Sequence, residues 1–443
     1  MKFKKYFILF SFVIFPVSFM LVTSCTKEYQ NPNSPTKEQV LASPDGLLAL
    51  VVGTKQTWAT GTKYYEVVCG GLSSKELYVI NTGNNDLASI QNGTTAINGG
   101  NNVISALWTN CNLVKSYAQQ LIDNSGNIGD PVSKSAVIAY GNYFKALSIG
   151  TMAAFWENVA AEVISSDDYI GGKRPSFKPR LDALTDAVAN LNAAAATLKA
   201  TPIKGDANVG AKVGFDIDLP NAVQALLARY NLMLGKYDDA IVAASAVDLT
   251  SKSVWKYDDI SRNPLYADFA TNNIDGGNIG LGLPASIAVD TLDPRYTFYL
   301  GNANSAKLIS RVTGFFTKNG DAIPVYLPGE MTLIIAEANA RKNNLPAAVT
   351  ALNTILTKTT DPFGVTAKGK PFSGDANSQA AVLQEIYRQR CIELFLSGLR
   401  FEDSRRFGRP GPGAAGSERS RNYYPYPNKE RDNNSNTPAD PAG

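Results

Sequence analysis

Cys25 closes the run Leu21-Val22-Thr23-Ser24-Cys25. Leu-x-x-Ser-Cys is the spacing of a bacterial lipobox, in which the cysteine takes a lipid and becomes the first mature residue. The residues upstream fit that chemistry. Lys2, Lys4 and Lys5 form a basic stub, and Tyr6 to Val22 form an apolar run ahead of the small residue at the cut. The run is too short for a good spanning helix, which needs about 20 apolar residues. The sequence therefore predicts a signal peptide over 1–24, lipidated Cys25, and a polar tether through Thr36 whose two prolines lead away from the lipid.

Other residue types narrow the chemistry by what they exclude. The chain has no histidine. That rules out a Ser-His-Asp triad, a Cys-His pair and any zinc site with a histidine ligand. Cys69, Cys111 and Cys391 are an odd set with no C-x-x-C spacing, and Cys391 lies on an apolar helical stripe that suits a buried thiol. A glycosidase built on two carboxylates needs no histidine, but no pair stands out among the 39 acids. No metal site and no cofactor site is expected. Once the three leader lysines are removed, basic and acidic residues balance at 39 each, so no nucleic-acid partner is expected.

Two groups of polar residues remain. Near the C-terminus, Arg390, Glu393, Arg400, Asp403 and Arg406 alternate in charge, with Glu330 and Glu337 as expected partners. Arg390 and Glu393 are three apart and share a helix face, and Gly398 suits the helix end. Buried charges persist when paired, so a structural clamp is expected. The other group could bind a ligand. An aromatic face accepts the C–H face of a sugar ring, and amides orient its hydroxyls. Loop residues supply both: Tyr78 with Asn81, Asn84 and Asn85, then Tyr266, Tyr296 and Tyr299. Trp108 and Trp156 fall on helical segments and are expected in the core.

The elements that must position these groups read as helices. Residues 103–122 place Val103, Leu107, Ala118 and Leu121 on one face. Residues 45–56, 133–155 and 179–199 repeat the pattern, with Asp45 and Ser133 as expected caps. Two segments resemble tetratricopeptide hairpins: Leu227-Ala228 before Gly235, Tyr237 and Ala240, and Ile335-Ala336 before Leu345 and Ala348. They lie about 108 positions apart, far from a 34-residue repeat, so they are expected inside an irregular, solenoid-like helical core. Polar loops over 81–102 and 257–304 are long enough to be functional, and 307–317 could form minor strands. The expected fold is all-α: one helical domain over 37–443, with minor β-hairpins and a Gly/Pro-rich segment near the C-terminus.

The order of motifs resembles the SusD/RagB family of outer-membrane lipoproteins. Trp108, Asn112 and Ile122 are similar to its W…N…I helix, and Ala139 to Leu147 to its A-x-x-Y-F-x-L helix. Asp293-Pro294-Arg295 and Glu330 to Ala338 match two further motifs. Ile386 to Gly408 resembles R-x-x-E-L-x-x-E-G-x-R-x-x-D-L-x-R-W-G, and Tyr424 to Asn433 resembles the closing P-x-P-x-x-E-x-x-x-N. Trp156-Glu157-Asn158-Val159 replaces the usual Gly-Asp-Val/Ile-Pro, Ser397 stands at an acid position, and Phe407 stands for Trp. The resemblance implies a divergent member without enzymatic activity. It implies a protein lipid-anchored at the outer-membrane surface, binding a glycan or oligosaccharide on two converging loops, 78–102 and 257–304. Its implied partner is a SusC-like TonB-dependent transporter barrel. A peptide cargo on the same fold, or a purely structural surface lipoprotein, are the alternatives.

Overall fold

A computed structural model describes residues 35–442 apart from 82, 94–95, 272–276 and 305–308. The expected signal peptide, Cys25 and the expected tether as far as Ser34 lie outside the described residues. Among those described, no helix is long and apolar enough to cross a membrane.

Helices dominate, and local chemistry sets where they begin. Thr36 and Gln39 form a reciprocal capping box at Lys37–Ala42. The next helix, Pro44–Thr57, is capped by Ser43 rather than Asp45: Pro44 is preset for the first helical position, and the Ser43 hydroxyl accepts from the Gly46 N–H at 3.0 Å. The same pair of devices starts Pro131–Phe155. There Asp130 is the cap, and Ser133, expected in that role, donates its N–H to Asp130 at 2.8 Å. Asn101 caps Asn102–Asn124 through two backbone N–H groups.

From Asn102–Asn124 onward the helices pack serially. Pro131–Phe155 lies between Asn102–Asn124 and Arg180–Ala200, which packs on Leu219–Met233. Leu219–Met233 pairs with Tyr237–Ser245, and Pro328–Arg341 with Leu345–Leu356, as the two expected hairpins. The hairpins pack on each other, and Gln379–Glu393 covers the second. Each turn closes alike. At Gly235 (φ 72°) the following N–H of Lys236 bonds the Asn231 carbonyl at 2.9 Å. At Asn343 (φ 60°) the Asn344 N–H bonds the Asn339 carbonyl at 2.8 Å. This is the left-handed helix ending for which glycine and asparagine are suited.

Strands are short. Ile309–Val312 pairs antiparallel with Leu300–Asn304 and with Gly277–Asn278, and a register shift lies between Leu300 and Ala303. Val254–Trp255 pairs with Ile323–Pro324, and Asn158–Val159 with Lys178–Pro179. The last pair explains the departure at Trp156–Val159: Trp156 ends its helix fully buried, and the two residues after Glu157 become a strand.

The C-terminal segment is a strap. Its N–H groups bond backbone carbonyls far back in the chain: Ser420 to Ser73 at 2.8 Å, Tyr424 to Phe155 at 2.9 Å, and Asn428 to Gly99 at 2.8 Å. Tyr424 stacks with Phe155 and Phe401 at 5.5 and 5.6 Å, and its hydroxyl donates to the Cys69 carbonyl at 2.9 Å. The strap also receives both expected core tryptophans. Trp108 and Trp156 meet edge to face at 4.9 Å; the Trp156 indole N–H donates to the Pro425 carbonyl, and that of Trp108 to the Glu430 carboxylate. Cys69, Cys111 and Cys391 are free and buried.

Candidate functional site

The C-terminal charge cluster divides into three buried networks. In the first, Glu337 takes a two-pronged bond from Arg406 and a 2.7 Å bond from Arg341, while Asp403 takes Arg390 at 2.8 and 3.1 Å and Arg406 at 2.7 Å. Burial alone would raise both carboxyls. Arg406 and Arg390 reverse the sign and hold them below the usual carboxylate range.

Glu330 and Glu393 depart from the sequence expectation. Glu330 pairs with Arg229 at 2.6 and 2.7 Å, on the neighbouring hairpin, and not with the C-terminal arginines. Glu393 pairs with Arg295 at 3.0 Å and with Lys358, not with Arg390 on its own helix. Helix spacing brought Arg390 and Glu393 to adjacent faces, but each found a closer partner on another element. Gly329 makes room for this: a Cβ there would overlap a Glu393 carboxylate oxygen. Gly398 also departs from expectation. The helix ends at Glu393, and Gly398 (φ 88°) lies beyond it in a turn pressed on Glu66.

Arg400 holds a loop instead of a carboxylate. Its guanidinium donates to the carbonyls of Leu281 and Gly282 at 2.6 and 2.8 Å, across three consecutive left-handed residues at 280–282. That clamp adjoins the place where the two candidate loops meet. Leu77 bridges Gly277 antiparallel, the Asn278 N–H bonds the Glu76 carbonyl at 3.0 Å, and the Asn278 amide bonds the Lys75 carbonyl at 2.5 Å. Under the junction, the buried Glu76 carboxylate accepts from the Leu396 N–H and the Ser74 hydroxyl, both at 3.2 Å. Burial pushes this carboxyl up to about 7, against the pull of Arg400 and these hydrogen bonds.

Tyr78 stands on the junction, 40% exposed. Asn81, Asn84 and Asn85 follow it at the surface, but two of their side chains are engaged locally. Asn81 accepts from Gly83 at 3.1 Å, and Asn84 caps the Asn85–Asn92 helix, a helix within what reads as a loop. Tyr266 and Tyr296 are half-buried, on the short helices Pro264–Thr271 and Pro294–Tyr299. Tyr299 is fully buried, and its hydroxyl donates to the Glu393 carbonyl at 2.8 Å, so its ring is part of the core. No hydrogen bond or ring contact among the described residues links Tyr78 to Tyr266 or Tyr296. The structure thus joins the two loops through their backbones and leaves the tyrosines as separate faces.

Tyr64 and Tyr65 escaped the sequence reading. They meet edge to face at 4.9 Å, half-buried, in the first turn of Lys63–Ser73, which directly follows the π-helical stretch Trp58–Thr62, and Tyr64 bonds Asp268 from the later loop. Burial, with Asp268 beside it, pushes the Tyr64 hydroxyl up, and burial raises Asp268. The adjacent tyrosine pair was the available signal.

The sequence model of the SusD family matches residues 245–441. Several solved structures share the fold at low identity. A SusD superfamily protein from Bacteroides vulgatus is 15% identical, with a TM-score of 0.67 over 91% of this chain and 100% of that one. A SusD-like carbohydrate binding protein from Bacteroides fragilis is 14% identical, with a TM-score of 0.62 over 90% and 99%. A laminarin binding SusD-like protein is 15% identical, with a TM-score of 0.60 over 90% and 99%. No curated protein sequence matches the chain.

Proposed function

We propose that the chain is a member of the SusD family, whose sequence model matches residues 245–441, and that it is a glycan-binding lipoprotein of the outer-membrane surface, which captures an oligosaccharide and delivers it to a SusC-like TonB-dependent transporter. Two fold relatives bind carbohydrate by their names, one of them laminarin. The observation that carries the reading is the junction of the two loops, which presents Tyr78 at the surface on a backbone locked from below by Glu76 and Arg400. Binding residues concentrate on loops held by a rigid scaffold. Tyr296, Tyr266 and Asn85 are further candidates on the same two segments, as separate faces. Recognition is the activity this chemistry supports, because the exposed Tyr78 ring offers a stacking face. Cys25 supplies the anchor in this reading, with the signal peptide removed.

The test is calorimetric titration of neutral glycans, laminarin oligosaccharides first, into the full chain. Dissociation constants between micromolar and millimolar are expected, about −8 to −4 kcal/mol. Tyr78→Ala and Tyr296→Ala should each weaken binding about tenfold, near 1.4 kcal/mol, at unchanged melting temperature. Equal binding by both variants would move the site elsewhere. Binding of peptide mixtures in place of glycans would change the cargo and leave the fold assignment intact.

A further inference from the structure

A second concavity lies away from the loop junction, at the open end of the second hairpin and beside Leu249 and Thr250, which follow the first. It is a groove of about 510 Å³, within the 300–1,000 Å³ range of small-molecule sites. One wall is the start of the Pro328–Arg341 helix; the other is the end of Leu345–Leu356 and the turn that follows it through Pro362.

Its lining has a definite chemistry. Leu249, Pro328 and Pro362 give flat apolar faces, and threonines give hydroxyls. Thr332 is 9% exposed, and its hydroxyl has no hydrogen-bond partner among the described residues although it lines the groove. The exposed hydroxyls of Thr359 and Thr360 are in the same condition. The charges at the floor are already paired: Lys358 lies between Asp361, at 2.9 Å, and Glu393, which also takes Arg295. An ionic ligand would have to break those pairs. A neutral ligand with apolar faces and a rim of hydroxyls meets both halves of the lining, since a hydroxyl both donates and accepts.

We propose that the groove at the open end of the second hairpin is a second binding site, for a neutral polyhydroxylated ligand of one or two sugar rings. It shares no lining residue with the 75–78 or 277–282 segments of the loop junction. Its shape limits it to a short ligand or to the end of a longer chain.

Saturation-transfer NMR on the full chain tests this, with glucose, maltose and cellobiose as probes. Thr354 is exposed on the groove wall, so Thr354→Trp fills the groove without disturbing the core. Thr332→Val removes the free hydroxyl and keeps the side-chain shape. Both variants should lose most of the transferred signal, at least fivefold, while the Tyr78→Ala variant keeps it. Three results would overturn the proposal: no transfer from any probe, transfer that Thr354→Trp leaves intact, or transfer that disappears in Tyr78→Ala. Transfer from a neutral blocked tetrapeptide, blocked by Thr354→Trp and absent for the sugars, would overturn the ligand class. Loss of glycan binding at the loops would leave this site standing, because the two sets of variants share no residue.

Discussion

Glu76 is the residue whose ionisation is most exposed to pH within the candidate region. It is buried under the loop junction, and burial raises its carboxyl to about 7 against an ordinary value of 4.5. A carboxyl raised in the folded state binds its proton more tightly there than in the unfolded chain. Its contribution to stability is therefore complete below about pH 4.5 and is lost as pH rises through about 7. Glu76→Gln removes this dependence, so the melting temperature of the variant should gain on the native chain between pH 4.5 and 7 and run parallel above. The free energy involved is on the order of 3 kcal/mol at most. Parallel curves across the whole range would mean that Glu76 stays ionised. Glu337 and Asp403 carry the opposite sign: their arginines hold them low, so their contribution is lost only as pH falls toward their depressed values. At this scale the sequence revealed that the charges cluster but not how they pair. Spacing on one helix matched Arg390 to Glu393, whereas Arg295, nearly a hundred residues upstream, took Glu393 instead. Pairing across elements depends on packing, which no local pattern encodes.

The two hairpins were legible as elements because their information is local. A small residue, a turn and an aromatic or leucine recur at fixed offsets, and the turns close with matching hydrogen bonds. They differ in the residue that takes the left-handed position. Gly235→Ala should cost about 1 kcal/mol, because alanine pays for a positive φ that glycine adopts freely. Asn343→Gly should leave stability unchanged or raise it by a few tenths of a kcal/mol. Urea midpoints of the two variants decide this, and a destabilised Asn343→Gly would place the asparagine side chain in a role beyond the turn. The Asn85–Asn92 helix was not legible. Asparagines disfavour helix interiors and favour caps, so a segment rich in them reads as loop even where one of them, Asn84, is the cap that starts a helix.

Over the whole molecule, the strap was visible as a motif and invisible as a structure. The sequence flagged Tyr424 to Asn433 through resemblance, but composition made the segment before it look like a Gly/Pro-rich tail. In fact Tyr424 and Tyr426 are fully buried, and the strap satisfies both tryptophans of the core. A chain ending at Gly416 should therefore lose its cooperative melt and its near-ultraviolet aromatic signal while keeping much of its helical content, the signature of lost packing. A sharp native-like transition in that truncation would make the strap an accessory. The strap also sets a clock. The hydroxyl of Tyr424 bonds a carbonyl 355 residues earlier in the chain. At 5–20 residues per second, a ribosome needs roughly 20 to 70 s to make that partner. The helices of the first half can form in that interval, but their shared aromatic centre has no lid until the final stretch is translated. Contacts of such sequence separation also make folding slow once synthesis is complete. Under the proposed surface-lipoprotein reading, in which residues 1–24 direct export, this delay would keep the polypeptide loose enough to be threaded across a membrane, and the fold would lock on the far side when the strap arrives.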